Sequence, residues 1–438
     1  MAVPMMISSA CDGVMTFTDR LFLSKVGTEH MNAAMGGYVS YLMLLFFFMG
    51  LAGYSTALVA QYFGAEQKTK APIVTFQAIV IVLLAWPIVI LLKPLVIKLF
   101  FGMNLPVDQA ILQEQYLTIL IQGAIFTLLR HVMSCYFTGI GKARVVMNAT
   151  LAALIVNVIL DYVLIFGAFG FAAMGIKGAA IATVTGNAFA FVYFLFAYFS
   201  HNNLVTFAVK KSFHFNAGIM LRLVKYGYPA GLEIFLSFVA FFFMTLMFQS
   251  QGTVASTATS IMFSYDMMSF IPLLGIEIAA TSLAARYMGA ERPDLAEKTA
   301  WSAVKTGLLY SSVVLLLFLC IPEILVRVFQ PTLFNSAFEA AVPLAVTMIR
   351  IAALYVLVQA VMISLIGVLR GAGDTFYTML VNVGANWLFL PIQYVALYVF
   401  KASVPFVWFL LVLIFLTFCF IMYKRFKTGK WKTLRILY

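Results

Sequence analysis

The sequence predicts an all-α integral membrane protein with twelve transmembrane helices, arranged as two pseudo-symmetric six-helix bundles around a central cleft. Of its 438 residues, 63% are apolar and 10% are charged, and the mean hydropathy is +1.01. Soluble domains average about 45–50% apolar and about 25% charged residues. Apolar runs of membrane-spanning length recur along the chain, and one motif recurs at an offset of 225 residues. Lipid is therefore the expected solvent.

Twelve apolar runs are bounded by glycine, proline or charged residues. A helix needs about 20 residues to cross a hydrocarbon layer of about 30 Å, and lipid offers no partners to exposed backbone groups, which leaves helices as the expected structure. The first run is interpreted as a retained helix, because Asp12 interrupts it and no basic residue precedes Arg20, unlike a signal peptide. The predicted spans are 2–24, 33–62, 73–99, 111–139, 145–169, 177–200, 225–250, 254–288, 298–321, 341–369, 376–400 and 403–423.

Most of the basic residues punctuate the gaps between these runs. A nucleic-acid-binding protein clusters its basic residues on one face, so the net charge of +12 does not indicate such a partner. If the N-terminus is cytoplasmic, the inner segments hold 18 basic residues and the outer segments hold 7. The positive-inside rule then predicts that both termini are cytoplasmic. The expected setting is the bacterial cytoplasmic (inner) membrane, with the chain as a monomer.

An internal repeat divides the chain into two halves. Residues 50–67 and 275–292 share eight of eighteen residues, including a Tyr-x-Gly-Ala-Glu ending, and Pro4 and Pro229 obey the same offset. Six spans per half give a parallel repeat with a pseudo-twofold axis along the membrane normal. The predicted units are an N-terminal lobe (1–200), a cytoplasmic linker (201–224), a C-terminal lobe (225–423) and a basic cytoplasmic tail (424–438).

Several stretches together resemble the multidrug and toxic compound extrusion (MATE) family: PMMISSACDGVMTFTDRLFLSKVG at 4–27, the Gly-Ala-Glu turns at 64–66 and 289–291, NVILDYVLIFG at 157–167 and LRGAGDT at 369–375. The resemblance implies a secondary-active antiporter that exports small amphipathic, often cationic compounds by alternating access. It implies no enzymatic activity and no cofactor, with H⁺ or Na⁺ as the coupling ion. Arg370 and Asp374, in the last stretch, are expected to pair and stabilise a turn.

Acidic residues inside membrane spans are functional candidates, because burying a carboxylate in a bilayer costs several kcal/mol. Asp19 lies roughly 22 Å into the first span and Asp161 roughly 24 Å into the fifth, so both reach a similar depth. Asn157 precedes Asp161 by one helical turn and shares its face. These residues predict a site for H⁺ or Na⁺; the alternative is a polar clamp between helices. The resemblance adds Ala179 and Thr183.

Other intramembrane acids are weaker candidates. Asp12 lies two turns before Asp19 and either extends a proton path or makes a structural hydrogen bond to a nearby hydroxyl. Glu233 and Asp266 are candidates for a cation or substrate site in the C-terminal lobe, and Glu277 is interpreted as a solvated residue near a helix end. Because Asp19 and Glu233 have no acidic counterpart at the repeat offset, the two lobes are expected to differ in role.

A second function from the wider superfamily is a flippase for a lipid-linked saccharide, which would need a cationic cavity for pyrophosphate. The mid-span basic residues are only Arg130, Lys305 and Arg350, and acids outnumber them. The exporter is therefore favoured. A membrane enzyme has little support, because no metal-binding or nucleophile motif occurs. Methionine and aromatic side chains in the cleft would suit flat apolar cations.

Overall fold

The computed structural model describes residues 1–102, 107–330 and 336–437, and helices dominate all three ranges. No β-strand occurs in the described ranges, and the all-α prediction is confirmed. By length and composition, ten described helices could cross a membrane, and a bent pair at Val107–Gln122 and Ala124–Gly139 could make an eleventh. The first helix, Ala2–Val26, carries Asp12, Asp19 and Arg20 within its length and completes the twelve predicted spans.

The first half of the chain contains nine helices in its described part. They are α1 (Ala2–Val26), α2 (Thr28–Gly53), α3 (Ser55–Gly64), α4 (Lys70–Gly102), α5 (Val107–Gln122), α6 (Ala124–Gly139), α7 (Ala143–Phe166), α8 (Ile176–Tyr198) and the short α9 (His201–Phe207). Gly167 ends α7 with φ of 75°, a left-handed conformation that glycine adopts without strain.

Seven further helices follow within the described residues. They are α10 (Ala217–Gln249), α11 (Thr253–Gly289), α12 (Pro293–Cys320), α13 (Pro322–Arg327), α14 (Ser336–Ala372), α15 (Thr375–Tyr394) and α16 (Val404–Lys427). Asn216 begins α10 as an N-cap, its Oδ1 accepting a hydrogen bond from the Ile219 amide at 3.0 Å. This start lies inside the segment predicted as a linker.

Two predicted spans are broken in the structure. The span 33–62 becomes α2 and α3, which meet at Tyr54, and the span 111–139 becomes α5 and α6, which meet at a bend of 49°. Gly123 lies at this bend, where a Cβ would approach a methyl of Val184 on α8 to 2.3 Å. The bend therefore occurs at a glycine, where any side chain would prevent α8 from packing this closely against the junction of α5 and α6.

One apolar core lies mainly in the first half of the chain, with Leu223 of α10 and Ala279 of α11 joining it, and two lie in the second half. Helices α1 to α8 surround one cluster that includes Leu58, Tyr136 and Phe194. The second half encloses two clusters, one around Phe248 and Trp408 and one around side chains of α11, α14 and α16. Between the lobes, α2 packs against α10, and α11 packs against α1 and α3.

Glycines make the closest contacts between the lobes, and these contacts obey the repeat. A Cβ on Gly64 would lie 1.9 Å from the carbonyl oxygen of Arg286, and one on Gly289 would lie 2.0 Å from that of Gln61. Adding 225 to 64 and 61 gives 289 and 286, so the two contacts are pseudo-symmetric copies. The Gly-Ala-Glu turns at 64–66 and 289–291 therefore seal one end of the inter-lobe cleft by backbone packing.

The chain's last described segment folds back onto the helical bundle. Trp431 is fully buried, and its Nε1 donates a hydrogen bond to the Phe426 carbonyl at 2.8 Å. Ile436 is also buried and packs against Gly373. Arg425 forms an ion pair with Asp374 at 2.7 Å. The basic tail is thus anchored against the turn that follows α14.

Candidate functional site

Three helices of the N-terminal lobe bring buried polar side chains together. Asp19 comes from α1, Asn157 and Asp161 from α7, and Thr183 from α8; α7 packs against both other helices. All four residues are buried. Asn157 and Asp161 share a face because they are four residues apart in one helix. The structure thus brings together the residues that the sequence predicted as a cation site.

Hydrogen bonds connect these side chains into one cluster. Thr183 Oγ1 donates to Asp19 Oδ2 at 2.9 Å and also lies 3.0 Å from the Ala179 carbonyl oxygen. The Asn157 amide nitrogen, oriented toward the acids, lies 3.3 Å from Asp19 Oδ1 and 3.3 Å from Asp161 Oδ2. Rotating that amide would present its oxygen instead, as a cation held between the carboxylates requires. Ala179 contributes only its backbone.

The charge of this carboxyl pair is not compensated by a basic side chain. Within the described residues, no Lys or Arg nitrogen lies within 4.0 Å of either Asp19 or Asp161. Asp161 Oδ1 is also buried without a hydrogen-bond partner. A buried carboxylate without a partner is costly, so the pair is stabilised by taking up a proton or a metal cation. Its oxygen donors suit a hard cation.

Asp12 lies apart from this cluster. Its carboxylate forms an ion pair with Arg130 at 2.6 Å, and its side chain is 50% exposed to a cavity between the lobes. Of its two interpretations, the structure supports a polar partner, although that partner is a guanidinium and not a hydroxyl. Sequence reasoning identified Arg130 only as a mid-span cation. No periodicity within α1 or α6 could reveal the pair, because it joins residues 118 positions apart.

Glu233 belongs to a three-residue ion cluster in the C-terminal lobe. Arg370 contacts Glu233 Oε2 at 3.0 Å and Glu277 Oε1 at 2.5 Å. Asn382 donates a hydrogen bond to Glu233 Oε1 at 2.9 Å. The interpretation of Glu277 as a solvated residue is therefore wrong. The predicted pair of Arg370 with Asp374 is also wrong, because Asp374 pairs with Arg425. Both errors concern partners on other helices.

Asp266 does not join the cluster of Glu233. It is buried on α11, and its Oδ1 has no hydrogen-bond partner within the described structure. Eleven residues separate it from Glu277 on the same helix, which corresponds to roughly 16 Å. The two C-terminal candidates therefore occupy different places in the lobe. Asp266 differs from Glu233 in having no basic side chain beside it.

A cavity of about 320 Å³ lies between the lobes, and residues from both line it. Its charged lining comprises the Asp12–Arg130 pair on one side and Glu277 with Arg370 on the other. Met5, Met49 and Cys135 supply sulfur atoms, as expected for a cleft that accepts apolar ligands. The expected aromatic lining is sparse, because Tyr54 is the one aromatic residue among the described lining residues.

The hydroxyl of Thr183 offers a test of the cluster. Thr183→Val should shift the cation dependence by roughly 10- to 150-fold, because a hydrogen bond to a charged group contributes about 1.5–3 kcal/mol. Thr183→Ser keeps the hydroxyl and should retain near wild-type cation dependence. The measurement is the cation concentration that gives half-maximal effect in each purified variant. Equal values for Val and Ser would show that the hydroxyl has no part in the site.

Similar proteins were found by sequence and by structure. A probable multidrug resistance protein NorM of Thermotoga maritima is 22% identical over 451 aligned positions, covering 100% of this chain and 93% of the relative. The corresponding protein of Bacillus cereus ATCC 14579 is 26% identical over 350 positions, with 79% of this chain and 76% of the relative covered.

Solved structures share the fold over nearly the whole chain. A transporter of the MOP superfamily from Pyrococcus furiosus superimposes with a TM-score of 0.89 at 18% identity, covering 99% of this chain and 96% of its own. A MATE family transporter in an outward-facing conformation gives a TM-score of 0.88 with the same identity and coverage. The MatE family model matches residues 4–163 and 229–395, which is most of both lobes. The chain therefore belongs to the MatE family of multidrug and toxic compound extrusion transporters.

Proposed function

We propose that this protein is a cation-coupled antiporter that exports small amphipathic, often cationic compounds by alternating access. The observation that carries the proposal is the buried Asp19–Asp161 pair, which has no basic partner in the described structure. Such a pair gains stability from a proton or a sodium ion. The names of the NorM relatives support multidrug efflux as the transport activity.

The N-terminal lobe is the proposed location of the coupling ion. Arg370 already offsets one of the two negative charges of Glu233 and Glu277 in the C-terminal lobe, so a further cation gains less there. Asp266 is uncompensated, which makes it a second candidate for cation binding. Variants at Asp161 and Asp266 separate these alternatives, because only one of them should remove the cation dependence of transport.

The cavity between the lobes is the proposed substrate site. Its volume falls within the range of small-molecule pockets. The two guanidinium groups in the lining, those of Arg130 and Arg370, each pair with a carboxylate, so the lining carries no net positive charge against a cationic substrate. A flippase for a lipid-linked saccharide would instead need unpaired basic side chains for pyrophosphate. The charge balance therefore favours the exporter.

Alternating access is supported by the pseudo-symmetric contacts of the two turns. The lobes meet through backbone atoms at Gly64 and Gly289 and through side-chain contacts beside them, such as Gln61 with the Gly371 carbonyl oxygen. These are the interactions that opening this end must break. Cation binding to the N-terminal lobe would shift the equilibrium between closed and open arrangements by its differential affinity for the two. The sealed end corresponds to the cytoplasmic side if the predicted topology holds.

Orientation in the membrane is predicted by the distribution of basic residues. Both turns, and the tail after α16, should face the cytoplasm because the inner segments hold 18 basic residues and the outer segments 7. Single cysteines at Lys68 and Lys430 in a cysteine-free chain should react with a membrane-impermeant maleimide only after cells are opened. A cysteine at Phe169, between α7 and α8, should react in intact cells. The reverse pattern would overturn the orientation.

Transport by the purified protein in liposomes tests the proposal as a whole. Ethidium efflux should be driven by an imposed proton gradient or by an imposed sodium gradient, each applied separately. The ion that drives efflux is then the coupling ion. If neither gradient drives efflux of ethidium or of any other lipophilic cation in a small panel, the antiporter proposal is wrong.

A further inference from the structure

Arg130 on α6 contacts both the wall of the inter-lobe cavity and the interior of the N-terminal lobe. Its Nη2 donates a hydrogen bond to Asp12 Oδ1 at 2.6 Å, in the wall of the inter-lobe cavity. Its Nη1 donates to Asn187 Oδ1 at 2.7 Å, in the interior of the N-terminal lobe. The Arg130 side chain is only 14% exposed. One guanidinium thus lies between the cavity and the lobe interior.

The hydrogen bonds continue from Asn187 to the carboxyl cluster. Asn187 Nδ2 donates to the Thr183 carbonyl oxygen at 2.9 Å, and Thr183 Oγ1 donates to Asp19 Oδ2 at 2.9 Å. Each of these groups has its partner within the lobe. Polar groups therefore lead from Asp12 through Arg130 and Asn187 to Asp19, with the backbone and side chain of Thr183 as the last link.

The charges along this route are close enough to affect each other. Asp12 and Asp19 are seven residues apart on α1, which corresponds to roughly 10 Å along the helix. At that distance and an effective dielectric constant of about 20, one unit charge changes the affinity of another site for a cation by about tenfold. Asp12 presently balances Arg130, so the cluster experiences little net charge from the pair.

We propose that Arg130 is the positioning residue that links occupancy of the inter-lobe cavity to the cation affinity of the Asp19–Asp161 cluster. This inference rests on the proposed antiport function and deepens it. A cationic substrate in the cavity competes with Arg130 for the Asp12 carboxylate. Arg130 is then unbalanced, and its charge lowers the cluster's affinity for H⁺ or Na⁺. Substrate and cation exclude each other without sharing a site.

Other titratable groups face this route and must be controlled. His131 follows Arg130 and lines the same cavity, and its Nε2 lies 3.0 Å from the Met49 carbonyl oxygen. Further titratable or charged neighbours on the surrounding helices are Cys11, Arg20, Tyr38, Tyr41, Tyr116 and Asp161, and Glu277 and Arg370 line the opposite side of the cavity. Repeating each measurement in a His131→Gln background separates the contribution of the imidazole.

The test uses two substitutions with opposite expected effects. Asp12→Asn leaves Arg130 unbalanced and should lower the cation affinity of the cluster about tenfold. Arg130→Gln leaves Asp12 unbalanced and should raise it about tenfold. The double variant should return to near the wild-type value. The affinity is measured as the concentration of H⁺ or Na⁺ at half-maximal weakening of ethidium binding to the purified full-length protein.

Matched controls separate this role from a structural one. Arg327 and Glu323 form an exposed ion pair outside the N-terminal lobe, and Arg327→Gln or Glu323→Gln should leave the half-maximal concentration unchanged. Arg130→Lys keeps the charge and should stay close to wild type, which preserves the test if Arg130→Gln does not fold. A structural role would weaken ethidium binding while leaving the half-maximal concentration the same.

The outcomes distinguish this inference from the proposed function. Opposite shifts in Asp12→Asn and Arg130→Gln, cancelled in the double variant, support the link. If the wild type depends on the ion but the half-maximal concentration shifts in the same direction in both variants, or in neither, the link is wrong and the antiporter proposal is unaffected. Ethidium binding that ignores both ions in the wild type overturns both. If Arg130→Gln does not fold, Arg130→Lys replaces it in the comparison. Because Arg130→Lys keeps the positive charge, a change in its half-maximal ion concentration as large as that of Asp12→Asn would also contradict the link.

Discussion

Asp161→Asn should abolish cation-driven efflux while the protein still inserts and folds. Asp161 is fully buried, has one oxygen without a hydrogen-bond partner, and shares the Asn157 amide with Asp19. An amide of similar shape cannot take up a proton or offer a charged oxygen at this position. Removing one of two like charges from a buried site should also stabilise the fold.

The measurement is ethidium efflux from liposomes under a proton gradient and under a sodium gradient. Thermal unfolding in detergent reports on folding, and Asp161→Asn should unfold at or above the wild-type temperature. Glu323→Gln, at an exposed acid, serves as the control and should transport normally. Normal coupled efflux by Asp161→Asn would remove the pair from the mechanism. Loss in Asp266→Asn alone would move the coupling ion to the C-terminal lobe.

Gly289→Ala should force the lobes apart at the end sealed by the two turns. A Cβ at this position would lie 2.0 Å from the carbonyl oxygen of Gln61, a backbone atom of the other lobe. Overpacking of this kind costs about 1–3 kcal/mol, which corresponds to a roughly 5- to 150-fold shift away from the sealed arrangement. Gly64→Ala should have the same effect, since Gly64 is the pseudo-symmetric counterpart of Gly289.

Spin labels at Lys68 and Arg292 would report this separation, because each lies just after one of the turns. Gly289→Ala should add a longer component to the distance distribution between the labels. Gly384→Ala is the matched control, since its Cβ would meet Phe418 at an ordinary 3.4 Å. An unchanged distribution in Gly289→Ala, with normal transport, would show that glycine is not required for the seal.

Much of the architecture was predictable because it depends on local patterns. The apolar runs gave the spans, and the repeat gave the two lobes, whose equivalence the reciprocal contacts of Gly64 and Gly289 support. The face shared by Asn157 and Asp161 followed from their spacing of one helical turn. The proximity of Asp161 to Asp19 was expected because the two residues lie at a similar depth in their predicted spans.

Partners on different helices were not predictable in the same way. Helices that are apolar on all sides carry little information about which face meets which neighbour. The sequence therefore could not pair Arg130 with Asp12, or Arg370 with Glu233 and Glu277. The breaks at Tyr54 and Gly123 were missed for a related reason, since close packing between helices decides them and apolar composition does not.

Release of the coupling ion on substrate binding would show directly that substrate and cation exclude each other through the Asp19–Asp161 pair. Ethidium is added to the purified protein in weakly buffered detergent solution, and released H⁺ or Na⁺ is measured with a pH indicator or an ion-selective electrode. We expect the wild type to release one of the two ions, with the release saturating as ethidium binding does, and Asp161→Asn to release none. Ethidium binding without release of either ion, or with equal release from Asp161→Asn, would contradict this expectation.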